Sequence, residues 1–242
     1  MHRLDGSAAG IDEAEPMTIT CEAPAARVPL ARQALVGLGA VTGYLLVRGA
    51  VEAADTRALD HARDVAGLER SAGLGGAVAA LRDGVSARPA VASAFEWLYT
   101  YGHWVAAGAV LVWLARRHAG LYYVARDALL VSAAAALIVL LVYPVTPPDA
   151  GSDFAALPSL RAGSDLIIAL AIGAAARGVW ARLAGTGLAA LLAASVVLTG
   201  HHYVVDALAG AGLAGAAWLY LTVRRRPAAL RGYAGWDGLD LH

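Results

Sequence analysis

The chain has 242 residues and a mass of 24.7 kDa, with 59% apolar residues, 16% charged residues and a formal net charge of 0. Soluble domains carry about 25% charged residues, so a water-soluble globule of this size is excluded. The match of 19 basic to 19 acidic side chains leaves no basic excess for a nucleic-acid partner. A single cysteine, Cys21, excludes an intrachain disulfide, and no CxxC or Cys/His cluster suggests zinc or a redox pair. Every basic residue is arginine, which together with the alanine content hints at a GC-rich bacterial genome. What remains is a membrane protein whose first partner is the bilayer.

Residues 1–27 are polar and mixed in charge, with Asp12, Glu13 and Glu15, and lack the basic and apolar regions of a signal peptide. They read as a disordered cytoplasmic tail, and 227–242, with Gly232, Gly235 and Gly238, reads as another. Residues 28–226 then form one membrane domain. A helix crossing the roughly 30 Å hydrocarbon layer needs about 20 mostly apolar residues. Six segments qualify or come close: 33–51, 95–115, 128–143, 166–180, 183–199 and 204–223. Their apolar runs are continuous rather than alternating, which favours helices over a β-barrel. The expected fold is all-α, a polytopic membrane protein with six transmembrane helices.

Between the first two spans, residues 53–90 repeat apolar side chains at helical spacing: Leu59, Ala62, Val65 and Leu68, then Leu74, Val78, Leu81 and Val85. Two amphipathic helices on the outer membrane surface satisfy that pattern. A role in capping the bundle and a role toward substrate are equally supported. Arginines gather between spans two and three (Arg116, Arg117, Arg126), between four and five (Arg177, Arg182) and after six (Arg224, Arg225, Arg226). Short cytoplasmic loops collect such residues. Both termini are therefore expected on the cytoplasmic side of the cell membrane, with 144–164 and 200–203 sharing the outer face. Trp97, Trp104, Trp113, Trp180 and Trp218 suit interfacial belts, and Gly210, Gly212 and Gly215 allow close helix packing.

Ionisable groups within or beside membrane spans are costly, so they mark function by default. The strongest signal is His201-His202-Tyr203-Val204-Val205-Asp206, where an apolar span begins. His202 and Asp206 stand four apart and share a helix face. A carboxylate holding one ring nitrogen fixes the tautomer and leaves the other as nucleophile or base. The same pair serves equally well to stitch helices together. A second signal is Leu157-Pro158-Ser159-Leu160-Arg161. A helix start there presents backbone N–H groups to an anion, and Arg161 adds a planar fork suited to phosphate. An ordinary helix start with a snorkelling arginine is the competing reading. The third is Tyr143-Pro144-Val145-Thr146-Pro147-Pro148-Asp149, whose prolines end span three. Glu96 and His103 lie in or near span two, where hydrogen bonding between helices is the expected role of His103.

Taken in order, Tyr-Pro-x-x-Pro-Pro, Pro-Ser-Leu and Gly-x-His-Tyr-x-x-Asp-x-x-x-Gly resemble the type 2 phosphatidic acid phosphatase superfamily, and most of all its branch containing inositol phosphorylceramide synthase. The pieces 61–70, 99–104 and 123–132 run in the same order. The resemblance implies six spans, an outward-facing site and a lipid phosphate substrate. It implies His202 as a nucleophile that takes the phosphoryl group, Asp206 as the carboxylate orienting it, and Ser159 in the phosphate-binding segment. No metal or other cofactor is implied, because cationic side chains hold the phosphate.

Two positions depart from that family pattern. The family places a general-acid histidine where this chain has Arg161, and an arginine where it has Asp149. Arginine cannot release a proton usefully near pH 7, which leaves His201 as a substitute acid. Asp149, Asp153 and Asp165 add carboxylates to the outer face; Asp149 and Asp153 with Mg²⁺ form an alternative, metal-dependent site for an isoprenoid diphosphate. A catalytically degenerate lipid-binding member of the family is the remaining alternative.

Overall fold

The computed structural model describes residues 28–52, 57–146 and 157–225. The two tails, Asp149 and Asp153 lie outside the described residues. The elements in order are α1 (Leu30–Glu52), α2 (Ala58–Ser71), α3 (Leu74–Ser86), α4 (Pro89–Trp97), a π-helical turn (Leu98–Gly102), α5 (His103–Arg117), α6 (Ala119–Val142), α7 (Leu160–Ala175), α8 (Val179–Leu198) and α9 (Val204–Arg224). The described residues are helical with no strand, and five helices are long and apolar enough to cross a membrane. These are Leu30–Val47, the continuous α4–α5 helix Pro89–Arg117, Ala119–Val142, Val179–Leu198 and Val204–Arg224.

The expected span 166–180 is drawn differently. Its helix, α7, starts six residues earlier and ends at Ala175, giving 16 residues and about 24 Å of rise. Pro158 and Ser159 set the early start, since Ser159 Oγ accepts the Ala162 N–H at 3.3 Å as an N-cap. Ala176 and Gly178 are extended, and Trp180 belongs to α8. Arg182 then donates from Nε to the Ala176 carbonyl at 2.9 Å, satisfying the C-terminal end of α7.

Although short, α7 is the hub of the bundle, packing on α5, α6, α8 and α9. The core joins Leu114 and Ala115 of α5, Tyr122, Ala125 and Ala128 of α6, Ile167 and Ala171 of α7, and Ala214 and Ala217 of α9. The abundance of alanine at these contacts lets the helices approach closely, the packing mode that substitutes for a hydrophobic driving force in lipid. Of the three glycines expected to allow close packing on α9, only Gly210 is pressed by backbone. A Cβ there would stand 2.0 Å from the Ser159 carbonyl oxygen. Gly212 faces open space, and Gly215 lies at ordinary contact distance from Leu166.

Both helices expected within 53–90 are present, as α2 and α3, but α2 is turned relative to the expected stripe. Its buried face is Ala58, Ala62, Val65 and Glu69, while Leu59 and Leu68 are exposed. Ala62 and Val65 pack on Val145 and Tyr203. Further anchors come from His61, which stacks on Tyr143 and bonds the Pro144 carbonyl through Nδ1 at 2.7 Å, and from the Thr146 N–H on the Ala58 carbonyl. The hairpin thus sits over the end of the bundle where α6 ends and α7 and α9 begin.

Candidate functional site

Three helix ends converge beneath that hairpin: the start of α7, the end of α8 and the start of α9. Gly200 has φ 82° and closes α8, with its N–H on the Val197 carbonyl at 3.1 Å. Only glycine adopts that backbone without strain, so it stops the helix and turns the chain into His201 and His202. Tyr203 then opens α9, its N–H donating to Asp206 Oδ2 at 2.9 Å. The same Oδ2 faces His202 Nδ1 at 3.8 Å, and both side chains are buried. The other carboxylate oxygen, Asp206 Oδ1, is buried with no hydrogen-bond partner.

The α7 start is fastened to this turn. The Ser159 N–H donates to the Asp206 carbonyl at 3.0 Å, and Ser159 is fully buried. Gly163 and Gly210 allow the two helices to cross: a Cβ on Gly163 would stand 2.7 Å from the Gly210 carbonyl oxygen. The structure therefore brings His202, Asp206 and Ser159 together. Ser159 is engaged as the N-cap of α7, so it orients the helix start as well as lining it.

Arg161 and His201 form a second group, organised by Tyr99. Arg161 donates through Nη1 to the Tyr99 carbonyl, within the π-helical turn, and its guanidinium lies 3.9 Å from the Tyr99 ring centre. The His201 ring stacks on Tyr99 at 4.1 Å with a 13° interplanar angle, and its Nε2 lies 3.4 Å from Glu96 Oε2. π-Helical turns recur at functional sites, and this one presents both a ring and a carbonyl toward the start of α7.

Asp165 does not meet Arg161. It pairs instead with His103, Nδ1 to Oδ1 at 2.7 Å, and both groups are buried. This gives His103 the helix-joining role expected of it, between α5 and α7. Among the described residues no cluster of His, Cys, Asp or Glu is arranged to hold a metal ion.

Two residues at the site escape a reading of the sequence. Arg82 of α3 donates from Nε to the Val197 carbonyl and from Nη2 to the His202 carbonyl, each at 2.8 Å. Glu69 of α2, 6% exposed, accepts the Val205 N–H on Oε1 at 3.0 Å. Glu69 is legible in principle, because it continues the Ala62–Val65 stripe by one further turn. Burial raises the Tyr203 phenol above its ordinary pKa of 10.0, and the Asp206 and Glu69 charges raise it further against the opposing pull of Arg82.

A family model described as the PAP2 superfamily matches residues 63–152 and 149–220, and the chain belongs to that superfamily. That superfamily acts on phosphorylated lipid-type substrates, and with its five long apolar helices the chain fits a multi-pass membrane protein of phosphatase type. No curated protein and no solved structure matches the chain.

Proposed function

We propose that this protein is a membrane-embedded lipid phosphate phosphatase or phosphotransferase acting through a phosphohistidine on His202. The observation that carries the reading is the buried His202–Asp206 pair at the start of α9, with Ser159 fastened to its backbone, in a chain of the PAP2 superfamily. Asp206 faces Nδ1, and Nε2 is the nitrogen that attacks phosphorus in line. The bond to the leaving oxygen breaks as the P–N bond forms, and water or another alcohol then takes the phosphoryl group from nitrogen. The pair stands 3.8 Å apart, a separation that catalytic hydrogen bonds close in the loaded complex.

Arg161 and the N–H groups at the start of α7 hold the phosphoryl oxygens. His201, set apart from His202 by its stack on Tyr99 and its contact with Glu96, supplies the proton to the leaving oxygen. The Gly-x-His-Tyr-x-x-Asp-x-x-x-Gly motif supports assigning the chain to the inositol phosphorylceramide synthase branch.

The topology proposed has six spans, with α7 as the short fourth, cytoplasmic termini and an outward site in the cell membrane. The short connections at the far end, carrying Arg116, Arg117, Arg177 and Arg182, support that orientation. At the site end Arg63, Arg70, Arg82, Arg88 and Arg161 all bond carboxylate or carbonyl oxygens of the protein.

The test is turnover by the purified protein in detergent, offered phosphatidic acid and a polyprenyl diphosphate, with EDTA or with Mg²⁺. Phosphate release that survives EDTA, acid-labile labelling of the protein and loss of both in His202→Ala are expected. Turnover only with Mg²⁺ and lost in Asp149→Ala would move the chemistry to the aspartates. Lipid binding without any turnover would make the protein a degenerate member of its family.

A further inference from the structure

The carbonyls in the last turn of a helix lack partners and carry partial negative charge, and the N–H groups of the first turn carry the reverse. The turn bearing His201 and His202 joins two such ends, the last of α8 and the first of α9. One hairpin reaches both. Arg82, from α3, sets its cation on the Val197 carbonyl at the end of α8 and, with the other arm of the same guanidinium, on the carbonyl of His202 itself. Glu69, from α2, sets its carboxylate on the Val205 N–H at the start of α9. Each charge complements the helix end it touches, and the two anchors lie on His202 and three residues beyond it.

We propose that the α2–α3 hairpin is a clamp on the nucleophile-bearing turn, with Arg82 and Glu69 as its two positioning residues. The guanidinium fork is planar and rigid, so bonding Val197 and His202 at once fixes the distance between the end of α8 and the nucleophile's backbone. Glu69 is buried, and a buried carboxylate is tolerated only where it is hydrogen-bonded; its bond is to the first turn of α9, which also carries Asp206. The hairpin is seated independently of these charges by Ala62 and Val65 against Val145 and Tyr203, and by His61 on Pro144. Removing either charge therefore leaves the hairpin docked and the turn loose. The catalytic part of this inference rests on His202 being the phosphoryl acceptor.

The test compares Arg82→Ala, Glu69→Ala and Glu69→Gln in the full chain in detergent. The readouts are kcat and KM on phosphatidic acid, thermal unfolding, and amide hydrogen exchange of the segment 199–206. A displacement near 1 Å at a reacting centre costs about 100-fold, so kcat is expected to fall about 10- to 100-fold in both alanine variants. KM and the unfolding temperature stay near wild type, and exchange of 199–206 accelerates. Glu69→Gln keeps an oxygen for the Val205 N–H and restores most of kcat, and added guanidinium restores part of it to Arg82→Ala. Wild-type kcat with unchanged exchange in both alanine variants overturns the clamp. So does a loss of kcat that only follows the loss of folded protein, with Glu69→Gln no better than Glu69→Ala. His202→Ala runs alongside: if it turns over, or if the wild type does not act on phosphatidic acid, the exchange data decide alone. Acceleration confined to 199–206 then upholds the clamp, and its absence ends it.

Discussion

Replacing Gly210 by alanine tests whether the crossing of α7 and α9 sets the site. The added Cβ would lie 2.0 Å from the Ser159 carbonyl oxygen, 2.8 Å from its carbon and 3.1 Å from its nitrogen. Ordinary contact begins at 3.4 Å, so the two backbones must part by about 1.4 Å. All three obstructing atoms are backbone, so no side-chain rotation relieves the clash. Overpacking of this kind costs about 1–3 kcal/mol, and parting the helices also strains the buried Ser159 N–H bond to the Asp206 carbonyl, a loss of about 1–3 kcal/mol. The expected destabilisation is about 2–6 kcal/mol, read by unfolding in detergent. Because the displaced segment is Ser159 and the fixed one carries His202, turnover should fall by about 100-fold at temperatures where the protein is still folded. Gly212→Ala is the control: nothing lies within 4 Å of its Cβ, and the helix should gain up to about 1 kcal/mol. A Gly210→Ala protein that unfolds and turns over like Gly212→Ala would refute the argument that close backbone approach builds the site.

Replacing His103 or Asp165 singly by leucine breaks a buried pair and should cost about 3–5 kcal/mol each. The double variant should cost less than the sum, and strict additivity in the unfolding cycle would count against the pairing. Tyr99→Leu removes the ring beneath the Arg161 guanidinium and beside His201. A desolvated cation–π contact is worth about 0.5–2 kcal/mol, so KM for a lipid phosphate should rise about 2- to 30-fold, and an unchanged KM would detach Arg161 from substrate binding. The Tyr203 phenol is raised above 10.0 by burial first, so the folded state holds its proton more tightly than the unfolded chain. That contribution is complete below pH 10 and is lost as pH rises through the raised value. Melting between pH 8 and 11 should therefore decline less steeply in Tyr203→Phe, and equal slopes would exclude the phenol.

Much of this architecture is legible in the amino-acid sequence alone. Long apolar runs without alternation define helices because every backbone group in lipid must be satisfied within its own segment. Five of the expected spans correspond to helices of sufficient length, with ends moved by up to nine residues, the most at the start of α6, Ala119 against the expected 128. The sixth is shifted because hydropathy locates apolar residues, whereas a helix begins where its first N–H groups find a partner. Ser159 provides that partner seven residues before the apolar run starts in earnest. His202 with Asp206 is visible from local spacing. Asp165 is visible only as a charge, since its partner His103 lies 62 residues away on another helix. The contacts of Arg82 and Glu69 are likewise hidden, although the burial of Glu69 can be read from the Ala62–Val65 stripe. Their partners are backbone groups, carbonyls of Val197 and His202 for Arg82 and the Val205 N–H for Glu69, and a backbone partner leaves no trace in the pattern of side chains.

The two adjacent histidines illustrate how a helix start separates residues that the sequence places side by side. His202 has the four-residue relation to Asp206, and that carboxylate is committed to the Tyr203 N–H, so its position is set by the geometry of α9 rather than by rotamer choice. His201, one residue earlier, meets a different carboxylate, Glu96, on α4, although both histidines precede α9, which begins at Val204. A nucleophile and an acid cannot share one carboxylate without coupling their protonation, because a charge change at one is felt by the other within a few ångströms. Distributing the histidines between Asp206 and Glu96, with the Tyr99 ring against His201, gives each its own partner. Under the proposed phosphohistidine mechanism that separation lets Arg161 occupy the usual place of the acid as a purely cationic group, since the proton for the leaving oxygen comes from His201.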